Sequence, residues 1–171
     1  MRSFICLVTI LLSVSVASAQ AHSESSWREF RSDADGFSIE MPGTPKVETR
    51  DLGKGATQKM FSVEIGDESY FASVIDLGRG NGPQNPDEAY FSVLMKAYVE
   101  GSTTTLRSSR MSTWAGHTSM EGIADAASGT HLIDITTAGD RVYLVVFAGA
   151  KNSENGPKAR HLRDSFKLLG N

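Results

Sequence analysis

The stretch Val142-Tyr143-Leu144-Val145-Val146-Phe147 carries six apolar side chains in succession. A strand with one buried face alternates apolar and polar residues, whereas a strand covered on both faces is apolar throughout. Residues 129–138 also have strand character, and Gly139-Asp140 between the two segments is a tight-turn signal. The sequence therefore predicts a central hairpin in a sheet that other elements cover on both faces.

The strongest helix signal lies at residues 86–100, after a loop rich in Gly, Asn and Pro. Asn85 can cap this helix, and Pro86 suits its first turn. Its polar residues form one narrow stripe, and apolar residues cover the remaining circumference, which predicts burial on more than one side. A second helix is predicted to begin at Pro157, with Phe166 closing the core.

Segments with period-two alternation predict further strands before and after the first helix. They lie at residues 27–31, 37–41, 57–65, 70–77, 105–114 and 117–125. Strands that are joined by tight turns pair antiparallel. The predicted fold class is therefore α+β, with a single antiparallel β-sheet flanked by two main helices, an α/β/α sandwich.

The N-terminal residues have the pattern of a secretory signal peptide. Arg2 gives a basic start, an uncharged run follows from Phe4, and small residues precede a predicted cleavage between Ala19 and Gln20. The uncharged run is short for a membrane span, and a retained anchor is the alternative. We therefore expect an exported protein, periplasmic or secreted, with no stable membrane span after processing.

The predicted domain organisation follows from this pattern and from the length of the chain. It comprises a signal peptide over 1–19, a polar lead over 20–26 and a single globular α+β domain over 27–171. A domain of this length can bury about 70% of the surface of its unfolded chain. Cys6 is the only cysteine and lies in the predicted signal peptide, so the mature chain is expected to have no disulfide and no thiolate metal site.

Charge excludes two classes of partner. The whole chain carries 17 Lys and Arg against 20 Asp and Glu, a net charge of −3. Nucleic acids and anionic lipids require clustered Lys and Arg, and the sequence has no basic cluster. The expected partner is instead a protein or an envelope component.

Four motifs resemble those of a group of secreted bacterial proteins of unknown function. They lie at residues 36–45 (GFSIEMPGTP), 116–121 (GHTSME), 141–146 (RVYLVV) and 162–166 (LRDSF). The chain is similar in these motifs to PsbP-like and Mog-type proteins, and the likeness covers nearly the whole mature chain. It implies an antiparallel sheet between helices. Because relatives of that fold include a photosystem accessory subunit and a Ran-binding factor, which act by binding, it also implies a non-catalytic role.

No motif in the sequence specifies a reaction. The Gly-rich loop at 78–82 stands between a strand and a helix, as phosphate-binding loops do, but Asp87 and Glu88 at the helix start would repel a phosphate. His117 and Glu121 lie four apart in a predicted strand, about 13 Å along it, which is too far for one zinc ion. No catalytic residue, cofactor or metal is predicted.

Three classes of function stay open at this point. The first is an exported non-catalytic binding or accessory domain of unknown ligand. The alternative is a hydrolase-type enzyme with an unrecognised Asp/His site, and the third is a homo-oligomeric structural element of the envelope. The candidate binding surface lies where the loop at 78–85 meets the first helix, and its residues are Arg79, Asn81, Phe91, Met95 and Trp114.

Overall fold

The computed structural model describes residues 26–170. The predicted signal peptide and its cleavage between Ala19 and Gln20 lie outside the described residues, as does nearly all of the polar lead. The division of the chain into these segments, and export itself, stay predictions.

Ten strands and two helices make up the described chain. In order, they are β1 (Arg28–Ser32), β2 (Phe37–Met41), β3 (Lys46–Gly53), β4 (Ala56–Ile65), β5 (Glu68–Asp76), α1 (Glu88–Ser102), β6 (Thr105–Trp114), β7 (His117–Asp125), β8 (Thr130–Ala138), β9 (Arg141–Gly149), α2 (Pro157–Ser165) and β10 (Lys167–Leu168). Seven strands form a large antiparallel sheet in the order β3-β4-β5-β9-β8-β7-β6. The other three form a small sheet in the order β1-β2-β10.

The predicted fold class, a single antiparallel sheet flanked by two main helices, is wrong. Strands make up 52% of the described residues and helices 17%, and the strands belong to two sheets. The reason lies in β2, whose Phe37, Ile39 and Met41 are completely buried. The Phe37 ring packs 5.3 Å from that of Phe61 and 6.3 Å from that of Tyr143, centroid to centroid. β2 therefore lies on the face of the large sheet as part of a separate layer and does not extend that sheet at an edge.

Two apolar clusters lie on opposite faces of the large sheet. One joins the sheet to the small sheet and α2, with Tyr143, Val145 and Phe147 as its contribution from β9. The other joins the sheet to α1 and receives Val142 and Val146 from the same strand. The prediction that 142–147 form a strand covered on both faces is confirmed. Each fully buried side chain of this size contributes about 1.5–3 kcal/mol, so this strand is a main source of stability.

The predicted helix at 86–100 is confirmed as α1, but its details differ from the prediction. Asp87, not Asn85, caps it, since the Asp87 carboxylate accepts a hydrogen bond of 2.9 Å from the Tyr90 N–H. The helix is buried on one side only, through Phe91 and Met95. Val93 on the outer side is 68% exposed, so the predicted burial on more than one side is wrong.

α1 lies across β6, β7 and β8 and approaches the sheet closely at one glycine. A Cβ atom on Gly122 of β7 would stand 2.5 Å from the Met95 Cε. The missing side chain at Gly122 is therefore what lets Met95 pack directly on the sheet. Neither helix of the described range is long and apolar enough to cross a membrane. The same range contains no cysteine and hence no disulfide.

Candidate functional site

Several turns and loops meet at one end of the large sheet and enclose a cleft of about 610 Å³. Antiparallel connectivity brings the end of β5, the β6–β7 turn and the β8–β9 turn to this end. The β1–β2 turn and residues 168–170 close the other side. We call this the polar cleft; the charged and aromatic side chains that line it are Asp76, Arg79, His117, Asp140, Arg141 and Tyr143.

The β1–β2 turn is fixed against the cleft by two side chains of β9. The Tyr143 hydroxyl donates to the Asp35 carbonyl at 3.0 Å, and Arg141 donates to the Ala34 carbonyl at 3.0 Å. Gly36 has a φ of +75°, and a Cβ there would stand 2.9 Å from the Arg141 Nη1. The positive φ therefore favours glycine at this position, and a side chain here would also displace the Arg141 guanidinium, which gives a physical reason for the first residue of the GFSIEMPGTP motif.

The loop between β5 and α1 is fixed by a single carboxylate. Asp140, in the β8–β9 turn, accepts hydrogen bonds from the Gly80 N–H at 2.9 Å and the Gly82 N–H at 2.8 Å. These bonds lower the pKa of Asp140 and keep it ionised. A Cβ on Gly82 would stand 2.1 Å from the Gly139 carbonyl oxygen, so the loop and the turn touch backbone to backbone.

The acidic groups of the polar cleft are already occupied by partners within the chain. Asp140 holds the loop, and Asp76 accepts the Gly78 N–H at 2.9 Å. Asp76 also stands 3.6 Å from the Arg141 Nε. Arg79 is exposed in the same cleft, and among residues 26–170 it forms no ion pair within 4.0 Å. The polar cleft therefore presents one guanidinium whose donors are available to an outside group.

The structure separates the residues of the predicted binding surface. Arg79 lines the polar cleft, and Asn81 is exposed in the same loop with its amide donating to the Leu77 carbonyl at 2.9 Å. Trp114 is buried, stacks on the Phe166 ring at 4.4 Å and donates from Nε1 to the Arg163 carbonyl at 3.0 Å.

The two helix residues of that surface lie elsewhere. Phe91 and Met95 are 0% and 1% exposed between α1 and the sheet, within the apolar cluster of that face. Of the predicted binding residues, only Arg79 and Asn81 thus share an accessible place. Trp114 is adjacent to this place through Ala115, which lines the polar cleft.

A second cluster, which sequence reasoning missed, lies between the large sheet and α2. Glu121 of β7 stands directly opposite Asp134 of β8, and the two residues are 8% and 1% exposed. Arg163 of α2 reaches both, with Nη1 2.5 Å from the Glu121 Oε2 and Nε 3.2 Å from the Asp134 Oδ1. Arg110 of β6 holds the other Glu121 oxygen at 2.8 Å.

Burial raises the pKa of Asp134 to about 7. The Arg163 guanidinium opposes this shift, and the neighbouring Glu121 carboxylate adds to it. The Glu121 Oε2 and Asp134 Oδ1 receive no hydrogen bond of normal geometry from the described residues. No pattern in the sequence indicated this cluster, because the register of β7 against β8 and the position of α2 depend on the tertiary fold.

Histidines and carboxylates meet once in the described part of the chain. His161 lies 2.6 Å from Glu40, and both side chains are more than 40% exposed. His131 contacts the Tyr98 hydroxyl at 2.7 Å, and burial lowers the pKa of this His131. Residues 26–170 contain no group of three His, Cys, Asp or Glu placed to hold a metal ion.

Comparison with solved structures bears on the fold. The solution structure of cyanobacterial PsbP (CyanoP) from Synechocystis sp. PCC 6803 matches with a TM-score of 0.58 and 14% sequence identity, over 90% of this chain and 99% of that chain. The fold is PsbP-like. At this identity the likeness shows the fold alone and transfers no residue's role. It supports the PsbP-like part of the resemblance, and it bears on neither the Mog-type likeness nor secretion.

Other comparisons add little to the PsbP-like fold. A crystal structure from Bacteroides thetaiotaomicron VPI-5482 aligns at 15% identity over 83% of this chain and 48% of that chain, with a TM-score of 0.37. That similarity carries no argument. No family model matches the sequence, and no curated protein matches it.

Proposed function

We propose that this protein is an exported, non-catalytic binding domain that holds an acidic or carbonyl-bearing segment of a protein or envelope component in the polar cleft. The observation that carries the proposal is Arg79, the guanidinium of the cleft without an ion-pair partner in the described chain. Guanidinium groups bind carboxylates through paired hydrogen bonds of fixed geometry. A segment with an exposed carboxylate is therefore the chemistry that this site fits.

The surroundings of Arg79 support binding because they are already organised. The loop that carries it is held by Asp140, and the opposite wall is held by Tyr143 and Arg141. A site whose walls are fixed before binding loses less conformational entropy when a ligand enters. The cleft volume of about 610 Å³ is also within the range of ordinary ligand sites.

Capture of partners by charge-reversed variants tests the proposal. Tagged protein is purified from its own compartment as wild type, as Arg79→Glu and as Arg160→Glu, and the captured proteins are quantified by mass spectrometry. Arg160 is an exposed α2 arginine outside the cleft lining and controls for the change in net charge. We expect partners held by wild type and Arg160→Glu to be lost from Arg79→Glu. Equal capture by all three forms would refute a role for the polar cleft.

Export is the second part of the proposal and rests on the N-terminal sequence pattern. Sequencing of the N-terminus of the protein recovered outside the cytoplasm is expected to begin at Gln20. A protein that starts at Met1 and stays in the cytoplasm would contradict export without affecting the role of Arg79.

The Glu121–Asp134 pair favours the hydrolase-type alternative more than any other group does. A carboxyl with a pKa of about 7 suits proton transfer near neutral pH. Asp134 is 1% exposed, however, and the shallow depression of about 310 Å³ beside the pair is lined by Glu121 and not by Asp134. Hydrolysis of a substrate by wild type and its loss in Asp134→Asn would establish this alternative.

A further inference from the structure

The strand β3 (Lys46–Gly53) is an unpaired edge of the large sheet. It pairs with β4 on one side, and no strand of residues 26–170 pairs with its other side. All eight of its residues are exposed, including Val47 at 52% and Leu52 at 50%. Such an edge presents unpaired backbone N–H and C=O groups to any other extended chain.

The other edge of the large sheet, β6 (Thr105–Trp114), is guarded by contrast. Its Arg107 is bound to Asp125 and Glu154, and its Arg110 to Glu121. A register shift between Leu106 and Ser108 also interrupts β6 near its start, whereas the shift in β3 lies at its end, between Asp51 and Gly53, and leaves residues 46–51 in regular pairing with β4. Bulges and charges held in this way discourage edge pairing, so the two edges are not equivalent.

Positive and negative side chains alternate on one face of β3, so an antiparallel copy of this strand would be complementary to it in charge. Lys46, Glu48 and Arg50 lie on the face that looks towards α1, because they stand opposite Ser62, Met60 and Gln58 of β4. Glu48 pairs with Lys46 of the same strand at 2.7 Å, with both side chains largely exposed. Arg50 has no ion-pair partner among the described residues.

We propose that two copies of this chain pair antiparallel through β3. The two-fold axis lies at the pair of Thr49 residues, so that Glu48 of each copy stands opposite Arg50 of the other. Residues directly opposite in an antiparallel pair have Cβ atoms about 4.5–5.5 Å apart, and opposite charges there attract. The pairing would satisfy Arg50 in both copies and join two seven-stranded sheets into one.

The charges select this register over its neighbours. A centre at Glu48 would place two Glu48 carboxylates together, and a centre at Arg50 would do the same with two guanidinium groups. A centre nearer to either end of β3 would shorten the paired segment. Because a strand of this length buries a small area, the dimer is expected to be weak and concentration-dependent.

Charge reversal with cross-rescue tests the pairing. Sedimentation equilibrium of the exported protein from about 10 μM to about 1 mM, the range expected for a small interface, should show a monomer–dimer equilibrium. Glu48→Arg alone and Arg50→Glu alone should each raise the dimer dissociation constant at least about tenfold, because like charges then stand opposite twice. An equimolar mixture of the two variants should restore the dimer as a heterodimer.

A cysteine scan gives an independent readout of the register. In a Cys6→Ser background, Thr49→Cys places two thiols opposite each other on the axis, within reach of a disulfide. Val47→Cys is the matched control, since in this register its two copies stand about 13 Å apart along the strands. Mild oxidation should cross-link Thr49→Cys and not Val47→Cys.

The two experiments separate all outcomes. A wild type that stays monomeric over the whole concentration range overturns the proposal. A dimer that neither reversal weakens, or that their mixture fails to restore, also overturns it and points to another surface. Cross-linking of Val47→Cys in place of Thr49→Cys would overturn the register. Cross-rescue together with selective cross-linking at residue 49 supports it.

Discussion

Asp134 of β8 carries an ionisable carboxyl that lies against α2. Replacing Asp134 by Asn would remove this ionisable group. In the folded protein the pKa of Asp134 is raised to about 7, chiefly by burial, whereas an exposed Asp has a pKa of about 3.9. The folded state therefore binds this proton more tightly than the unfolded state does. The resulting stability is fully present below about pH 4 and is lost as the pH rises through about 7.

The size of this effect follows from the shift. A difference of about 3 pKa units at about 1.36 kcal/mol each sets an upper limit of roughly 4 kcal/mol. As the pH rises from 5 to 8, the titration of Asp134 lowers the unfolding free energy by about 2–3 kcal/mol. The charged groups around Asp134 that enter this balance are Arg163 and Asp164 of α2, Glu121 of β7 and Arg110 of β6.

Urea unfolding at pH 5 and pH 8, followed by tryptophan fluorescence, measures the loss. Asp134→Asn cannot ionise, so its stability relative to wild type should improve by about 2–3 kcal/mol from pH 5 to pH 8. The comparison between the two proteins cancels other titrations, including that of His131, whose lowered pKa favours stability at higher pH. Asp67→Asn in the exposed β4–β5 turn is the control and should track wild type.

A result that would refute this reasoning is simple to recognise. If wild type and Asp134→Asn respond to pH in parallel, Asp134 does not titrate between pH 5 and pH 8 in the folded protein. The Glu121–Asp134 pair would then be a fixed ion cluster with Arg163 and not a proton-linked group.

Two further predictions concern packing and backbone geometry. Phe91→Asp should lower the unfolding free energy by at least about 4 kcal/mol, since it empties a core site and buries a charge. Val93→Asp, on the exposed side of α1, should change the unfolding free energy by less than about 0.5 kcal/mol. Equal effects of the two substitutions in thermal melts would contradict the one-sided burial of α1. Gly36→Ala should lower the unfolding free energy by about 1–3 kcal/mol because of the positive φ of Gly36 and the nearby Arg141. Gly101→Ala, at an exposed position of α1, should raise the unfolding free energy by up to about 1 kcal/mol. A neutral effect of Gly36→Ala would show that the β1–β2 turn can relax.

Local pattern predicted the elements of this fold better than their arrangement. The run 142–147 could be recognised because an uninterrupted apolar strand indicates burial on both faces, and the helix at 86–100 because its start signals and the spacing of its polar residues are helical, although its apolar residues overstated its burial. The alternation in Phe37–Met41 predicted a strand, but it could not tell whether the strand joins the large sheet or lies on its face. That choice depends on aromatic contacts between residues distant in sequence, such as Phe37 with Phe61.

The candidate sites likewise contain residues that local pattern could predict and residues whose position depends on the tertiary fold. Arg79 could be found because a Gly-rich loop is recognisable from its composition. The binding role predicted for Phe91 and Met95, in contrast, assumed that α1 has an outer apolar face. The Glu121–Asp134 pair could not have been found, since polar residues in strands are ordinarily assigned to the exposed face. Its burial is set by α2, which brings Arg163 over both carboxylates.

The small sheet has a consequence for the order in which the protein can fold. β2 is completed by β10, and the Ser165 hydroxyl accepts a hydrogen bond of 3.0 Å from the Glu40 N–H, 125 residues earlier in the chain. Contacts of such separation form slowly. A nascent chain must therefore be almost fully synthesised before β2 can form all of its final contacts. If the proposed export takes place before folding, this delay would keep the polypeptide unfolded during its passage across the membrane.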